Sequence, residues 1–188
     1  MDSDLEHKVN LFFMHPLIDP AIQPRSSKTL SILYLLRRDI QGCLSESKYL
    51  IPATMAILAG IDLLAKFHAG DDAQGKVTLR FKNFVSTYFQ PLAPNDAATV
   101  YALRNALLHS FGLYSEGRNF MLAERHSSGR LVVSESYYTI IAAHTLYSRL
   151  EQAITQYQDA LNTDETLQQH FDRMFHRYGF MHMGVGDA

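Results

Sequence analysis

The sequence contains little that would support disulfides, zinc fingers or secretion. Cys43 is the only cysteine among 188 residues, so an intramolecular disulfide is impossible and a zinc-finger framework is excluded. One cysteine is compatible with a reducing compartment. The first residues are acidic and lack the basic-then-apolar order of a signal peptide. We therefore expect a cytoplasmic location.

The chain also lacks an excess of charge of either sign. Its formal net charge is -2, with 17 Lys and Arg residues against 19 Asp and Glu residues. This balance excludes the global basic field of a general nucleic-acid binder, so a nucleic-acid role would need a local basic patch. The composition, 47% hydrophobic and 19% charged, is typical of a globular protein with a core.

Uninterrupted apolar segments of membrane-spanning length are absent. The most apolar run, residues 51–69, contains Asp62 and Lys66. These charges favour a buried helix over a membrane span, so we expect no membrane partner. Because the two residues are four apart, the spacing predicts that they pair on one helix face.

Common catalytic and metal-binding motifs are missing as well. The chain has no Gly-rich phosphate loop, no G-x-S-x-G and no H-E-x-x-H. The closest approach to a metal-ligand set is His170, Asp172 and His176. His170 falls on a different side of a helix from Asp172, so we expect neither a metal site nor a cofactor.

What the chain does contain is helical spacing of apolar residues. Residues 1–26 hold three prolines and are predicted to form an N-terminal, extended arm. Residues 27–162 are predicted to form a helical bundle whose first helix begins at Ser27. Residues 163–188 are predicted to form a last helix, capped by Thr163, and a tail that pack on the same domain.

One segment departs from the helical pattern. Short apolar runs flank the sequence HSSG, which predicts a small β-hairpin at about 119–134. A long helix is predicted to follow, from about Glu135 to about Leu161. The predicted fold class is therefore all-α, a helical bundle with one small inserted β-hairpin.

A helix predicted to begin at Asn95 or Asp96 carries an unusual polar set. The sequence ALRNALLHSF places Arg104, Asn105 and His109 in an otherwise apolar helix. Asn105 and His109 share a face, since residues four apart differ by about 40° around the axis. Arg104 and His109 differ by about 140°. Either the arginine reaches round the helix, or a second copy of the chain brings the two residue types together.

The sequence RNALLH, Arg104 to His109, resembles the R-x4-6-H signature of the HEPN superfamily, including the preferred polar residue directly after the arginine. The context is similar too, because the motif lies late in a helical bundle and follows a long buried helix. The resemblance covers about residues 27–161. It implies a four-helix bundle that commonly forms a homodimer, in which two motifs face each other and form a metal-independent ribonuclease site.

The resemblance also implies a reaction and a set of partners. It implies an RNA substrate, attack by the ribose 2′-hydroxyl and 2′,3′-cyclic phosphate products. His109 is suited to moving the proton and Arg104 to meeting the phosphate charge. Asn105 could hold the imidazole or a phosphate oxygen. Since the superfamily includes toxins of toxin–antitoxin pairs and abortive-infection proteins, an antitoxin or another regulator is an expected partner.

Two other features of the sequence are related to the motif: a locally basic segment and a second R-x4-H match. Arg118, Arg125 and Arg130 make the following segment locally basic and are candidates for RNA binding, with an ordinary solvated hairpin as the alternative. A second match, RYGFMH from Arg177 to His182, lies in the predicted tail and lacks the polar second residue. We interpret this second match as accidental.

Two functions of different classes stay open at this stage. The first is a HEPN-like, metal-independent endoribonuclease that acts as a toxin or in defence. The alternative is a catalytically inactive HEPN-like helical module that binds a nucleotide, an RNA or a protein. HEPN toxins that are paired with nucleotidyltransferase antitoxins often have a tyrosine two residues after the histidine. Here that residue is Phe111, which argues against regulation by modification of that position.

Overall fold

The computed structural model describes residues 1–14 and 29–182, which form seven helices and two small sheets. The helices are α1 (Ser3–Phe13), α2 (Ile32–Leu44), α3 (Leu50–Ala69), α4 (Val77–Tyr88), α5 (Asp96–Ser110), α6 (Ala143–Leu161) and α7 (Glu165–Tyr178). The strands are β1 (Thr29–Ser31), β2 (Tyr114–Ser115), β3 (Arg118–Ala123), β4 (Val132–Ser134), β5 (Thr139–Ala142) and β6 (Phe180–His182). The prediction of a mostly helical chain with an inserted β element is confirmed.

Helix α3 is the centre of the fold. It packs against α2, α4, α6 and α7, and ten of its side chains are buried. Such a helix is apolar on nearly every side because neighbours surround it. Among the described residues, α3 alone is long and apolar enough to cross a membrane, and about 56% of that stretch is buried inside the protein.

Helix α1 corrects the prediction of an extended N-terminal arm. Residues 3–13 are helical, and Asp2 caps them by accepting a hydrogen bond from the Leu5 amide at 2.8 Å. The ring of Phe12 lies 4.4 Å from that of Phe67 and 5.5 Å from that of Phe171. The prolines lie beyond this helix, at positions outside the described residues, so they do not prevent it.

Two helices begin at residues other than those predicted. Helix α2 begins at Ile32, and Ser31 caps it by accepting from the Tyr34 amide at 3.3 Å; the predicted start, Ser27, lies outside the described residues. Helix α7 is capped by Asp164 and not by Thr163. The carboxylate of Asp164 accepts from two backbone amides, at 2.8 and 3.0 Å, which a single hydroxyl in the preceding position does not do.

The inserted β element has a different pairing from the predicted one. Its strand order is β2-β3-β5-β4, so residues 119–134 do not form a hairpin with each other. Strand β5 lies between β3 and β4, parallel to the former and antiparallel to the latter. Three of its four residues are buried, and an apolar strand is stable only with a neighbour on each edge. Consequently the long helix starts at Ala143 and not at Glu135.

The smaller sheet joins the two ends of the described segment 29–182. Strands β1 and β6 pair antiparallel, with Ser31 opposite Phe180. Helix α7, which precedes β6, buries Phe171, Met174 and Phe175 in the same core as α3. The C-terminal helix is therefore part of the bundle, and its last turn closes one wall of the cavity described next.

Candidate functional site

Two of the polar residues predicted from the sequence, Arg104 and His109, line an open cavity that is bordered by α3, α4, α5 and α7, whereas Asn105 is not among its lining residues. Its volume is about 520 Å³. The lining residues come from all four helices and from the turn before α4: Asp62, Lys66, Asp72, Gln74, Val77, Thr78, Arg80, Tyr101, Arg104, His109 and Tyr178. Sequence positions that are more than 100 residues apart thus share one polar chamber.

Helix α5 presents its polar residues to this cavity because its apolar residues are anchored in the core. Leu103, Ala106 and Leu107 are buried, as the helical spacing predicts. The helix ends at Ser110, since Phe111 adopts a left-handed conformation with a φ of 49°. His109 therefore lies in the last turn, where its side chain is exposed.

Arg104 is held by a carboxylate of the central helix. Its Nε and Nη2 both donate to Oδ2 of Asp62, at 2.8 and 2.5 Å. The side chains are 12% and 14% exposed, so the pair is mostly desolvated. The predicted pair between Asp62 and Lys66 is wrong because Asp62 takes the guanidinium of Arg104 instead. Arg104 consequently lines the cavity beside Asp62.

The third nitrogen of Arg104 reaches the other two residues of the motif. Nη1 lies 2.6 Å from Nε2 of His109 and 3.2 Å from Oδ1 of Asn105. A guanidinium has only donors, so Nε2 of His109 must accept this hydrogen bond. This geometry therefore requires a neutral imidazole with its hydrogen on Nδ1.

Arg104 and His109 are separated by about 140° around the helix axis, and this contact decides between the two explanations offered for that angle. The long side chain of Arg104 reaches round the helix, and Arg104 and His109 meet within one chain. A second copy of the chain is not required to bring the two residue types together. The geometric reason for expecting a homodimer is thereby removed, and the homodimer itself stays a prediction.

The three arginines predicted to bind RNA lie elsewhere. Arg118 starts β3 and is 3.5 Å from Glu116, and Arg130 is exposed just before β4. Arg125 lines a different cavity, beside the start of α6. Arg118, Arg125 and Arg130 are all absent from the lining of the Arg104 cavity.

The cavity also contains residues that the sequence interpretation does not assign to the site. Nothing local relates Tyr178 to Arg104, and Arg80 is visible in the sequence only as part of a basic cluster with Lys76 and Lys82. Asp62 and Lys66 do carry a signal, since charged residues within a buried apolar helix need a partner or a cavity. The hydroxyl of Tyr178 donates to Oδ2 of Asp72 at 2.8 Å. This hydrogen bond, together with that from Arg177, lowers the pKa of the Asp72 carboxyl.

The histidines of α7 are placed as structural or surface groups. Nδ1 of His170 lies 2.8 Å from the carbonyl oxygen of His68, and Nε2 of His176 lies 3.8 Å from Asp172. Across residues 1–14 and 29–182, no group of three or more His, Cys, Asp or Glu residues is arranged to hold a metal ion. The side chain of His182, from the second R-x4-H match, lies outside the described part of the chain.

No family model, no curated protein and no solved structure matches this chain. The chemistry of the site is therefore inferred from its geometry and from the sequence motif.

Proposed function

We propose that this protein is a metal-independent endoribonuclease of the HEPN type, and that Arg104, Asn105 and His109 form its active site. The observation that carries the proposal is the contact of 2.6 Å between Nη1 of Arg104 and Nε2 of His109. A permanent cation and a neutral imidazole on one polar cavity are the groups that cleavage of RNA without a metal requires.

The reaction follows from these groups. Nε2 of His109 takes the proton of a ribose 2′-hydroxyl, and the 2′-oxygen attacks the adjacent phosphorus. The bond from phosphorus to the 5′-oxygen breaks, and that oxygen takes a proton from solvent water, while His109 afterwards returns its proton to the solvent. The products are a 2′,3′-cyclic phosphate and a 5′-hydroxyl. Arg104 stabilises the charge that develops on the phosphate oxygens.

Substrate binding also has to release His109, because Arg104 occupies Nε2 in the unliganded arrangement. A phosphate is a stronger acceptor for a guanidinium than a neutral imidazole is. We expect Nη1 of Arg104 to exchange His109 for a phosphate oxygen as RNA enters. The exchange frees the basic nitrogen next to the ribose, while Asp62 keeps hold of the other side of the guanidinium.

A second function is favoured by the same ion pair. Asp62 neutralises the charge of Arg104, and Arg104 occupies Nε2 of His109. A site with both contacts in place would bind a ligand without reacting with it. In that case the protein is a catalytically inactive HEPN-like module for a nucleotide, an RNA or a protein. The proposed nuclease, by contrast, acts on cytoplasmic RNA as a toxin or in defence, and an antitoxin or another regulator controls it.

The homodimer belongs to the proposal through the HEPN resemblance alone. Sedimentation at micromolar protein concentration checks it, with a mass of twice the 21.3 kDa chain as the expected result. A monomer with full activity would contradict the dimer and leave the nuclease intact, because Arg104 and His109 already meet within one chain.

The test of the nuclease is cleavage of a single-stranded RNA in the presence of EDTA. We expect cleavage by the unmodified protein, a loss of about 10²- to 10⁴-fold for His109→Ala and of about 10²- to 10³-fold for Arg104→Ala. His182→Ala is the control, since we interpret that motif as accidental. Circular dichroism shows whether each variant is folded.

Three outcomes would contradict the proposed nuclease or its assigned active site. No cleavage by the folded protein with or without metal would leave the binding module. Cleavage that is unchanged in both the Arg104 and His109 variants would reveal a contaminating enzyme. Loss of activity in His182→Ala but not in His109→Ala would mean that the second motif is the functional one.

A further inference from the structure

Two cations in the Arg104 cavity have no carboxylate partner among the described residues. They are Lys66 on α3 and Arg80 on α4. Ion pairs to Asp or Glu are formed by Arg37, Arg104 and several surface residues, but none within the described ranges involves Lys66 or Arg80. Unpaired charges facing a cavity are unusual, because buried charges are normally paired or bind a ligand.

Arg80 is the more buried of the two. Its side chain belongs to a residue that is only 6% exposed. Nη1 donates to the carbonyl oxygen of Ala73 at 2.7 Å, and Nε is sealed without any partner in the described part of the chain. A hydrogen bond to one neutral carbonyl does not neutralise a buried guanidinium. Arg80 therefore brings to the wall of the cavity a positive charge that forms no ion pair among the described residues. Its charge also acts on Asp71, whose pKa is lowered chiefly by a hydrogen bond from Lys76 and to a smaller extent by Arg80.

Lys66 adds a second positive charge. Its Nζ lies 4.6 Å from the centre of the Tyr178 ring, a cation–π contact that leaves its charge in place. Lys66 lies one helical turn beyond Asp62, about 6 Å along α3. Because Asp62 binds Arg104, Lys66 lies about one helical turn from the proposed reaction centre.

The two carboxylates of the cavity are bound to other residues. Oδ2 of Asp62 accepts two hydrogen bonds from Arg104, while its Oδ1 is buried without a hydrogen-bond partner among the described residues. Asp72 accepts from Tyr178 at 2.8 Å and from Arg177 at 3.0 Å. Within the described residues, neither carboxylate forms an ion pair with Lys66 or Arg80. The cavity thus combines two carboxylates that pair with other arginines and two further positive charges that an anion would neutralise.

We propose that Lys66 and Arg80 form a second phosphate subsite, which binds a phosphodiester of the RNA strand next to the one that reacts at Arg104 and His109. This proposal deepens the proposed function, because it assigns a further substrate contact to the same cavity. A strand of RNA carries a phosphate at every nucleotide, so one bound at the reaction centre presents another nearby. Lysine and arginine side chains provide the charge-assisted hydrogen bonds that such a group accepts.

The experiment measures binding and not cleavage, so that it stands apart from the test of the nuclease. The probe is a fluorescent single-stranded 2′-O-methyl RNA, which has no 2′-hydroxyl to react. Its Kd is measured by anisotropy over a range of salt concentrations. Lys66→Met is the main variant, since methionine keeps the length of the side chain and removes the charge. Lys48→Met is the matched control, because Lys48 is exposed, pairs with Glu46 and is not part of the cavity.

We expect Lys66→Met to raise the Kd about tenfold and to reduce the slope of log K against log salt by about 0.7, the value for one phosphate contact on a single strand. Lys48→Met should change neither quantity. Arg80→Gln should repeat the effect of Lys66→Met, provided that a thermal melt shows it to be folded. If Arg80→Gln is unfolded, Lys66→Met decides alone.

Two results would overturn the subsite. One is an affinity and salt slope for Lys66→Met equal to those of Lys48→Met, and the other is the absence of any binding by the unmodified protein. Cleavage of ordinary RNA with no effect of Lys66→Met on binding would refute the subsite and leave the nuclease. A reduced salt slope in a protein that cleaves nothing would support the subsite and refute the nuclease.

Discussion

Two buried arginines, Arg37 and Arg80, lie in opposite environments. Arg37 is 4% exposed, donates through Nε and Nη2 to the carboxylate of Glu151 at 3.0 and 2.5 Å, and donates through Nη1 to the carbonyl oxygens of Phe13 and Met14. Arg80 is 6% exposed and has one hydrogen bond, to a carbonyl oxygen, with no carboxylate partner among the described residues.

The difference separates a fully paired arginine from one with donor capacity left over. Arg37 has an acceptor for each of its nitrogens, so it ties α1, α2 and α6 together and has no donor left for a ligand. Arg80 borders a polar cavity with donor capacity left over. Arg104 is intermediate, because Asp62 accepts from two of its nitrogens while the third reaches the exposed His109. The proposed binding of an anion therefore depends on the arginines that are incompletely paired.

The largest expected effect is on stability, at Arg37. Arg37→Ala removes a buried guanidinium that bonds the carboxylate of Glu151 and the carbonyl oxygens of Phe13 and Met14, and should cost about 3 kcal/mol of the free energy of unfolding. Urea unfolding measures it. RNA cleavage per folded molecule should not change, because Arg37 does not line the cavity. A loss of less than about 1 kcal/mol would contradict the view that this pair holds α1 and α6 together.

The next effect is on activity, at Asp62. Asp62→Asn keeps the shape of the side chain and weakens its hold on the guanidinium of Arg104. We expect cleavage to fall about a hundredfold, the effect of misplacing a catalytic group by about 1 Å. Stability should fall by less than in Arg37→Ala, since water reaches the cavity. Single-turnover rates and urea unfolding on the same samples measure both quantities. Faster cleavage by Asp62→Asn would show that Asp62 inhibits Arg104 instead of positioning it.

The smallest expected effect is on the pH dependence of the free energy of unfolding. It concerns His68, which is neither of the two arginines compared above. Burial, and secondarily the charge of His170, lowers the pKa of His68 from its ordinary 6.5. Because the unfolded chain binds this proton more readily, stability is full above about pH 6.5 and falls as the pH drops below it, toward the folded pKa. We expect a small, measurable loss of the free energy of unfolding between pH 7 and 5. His68→Gln should flatten this decline, and an equal decline in both proteins would contradict the assignment.

Local sequence is sufficient to predict that Arg104, Asn105 and His109 form one polar cluster. Arg104, Asn105 and His109 lie within six residues of one helix, so their relation depends only on helical geometry. The partners of Arg104 could not be found in this way. Asp62 was visible only as a charge in an apolar helix, and its pairing with Arg104 rather than Lys66 depends on how α3 packs against α5.

The fold shows the same division between local and non-local features. The burial of α3 follows from its nearly continuous apolar sequence and agrees with the prediction. The pairing of β5 between β3 and β4 does not follow from local pattern, because the sequence HSSG indicates a turn and not which strands lie beside each other. The sequence predicts an extended arm in place of α1 because three prolines follow this helix. The cap at Asp2, which begins the helix, is the local feature that favours the observed structure.

The central claim, that His109 and Arg104 catalyse attack by a ribose 2′-hydroxyl, is tested most directly by the ends of the products. One RNA oligonucleotide and a DNA oligonucleotide of the same sequence are incubated with the protein in EDTA, and the fragments are identified by mass spectrometry. The account predicts fragments with a 2′,3′-cyclic phosphate and a 5′-hydroxyl from the RNA, and intact DNA. Cleavage of the DNA, or RNA fragments with a 5′-phosphate and a 3′-hydroxyl, would contradict it.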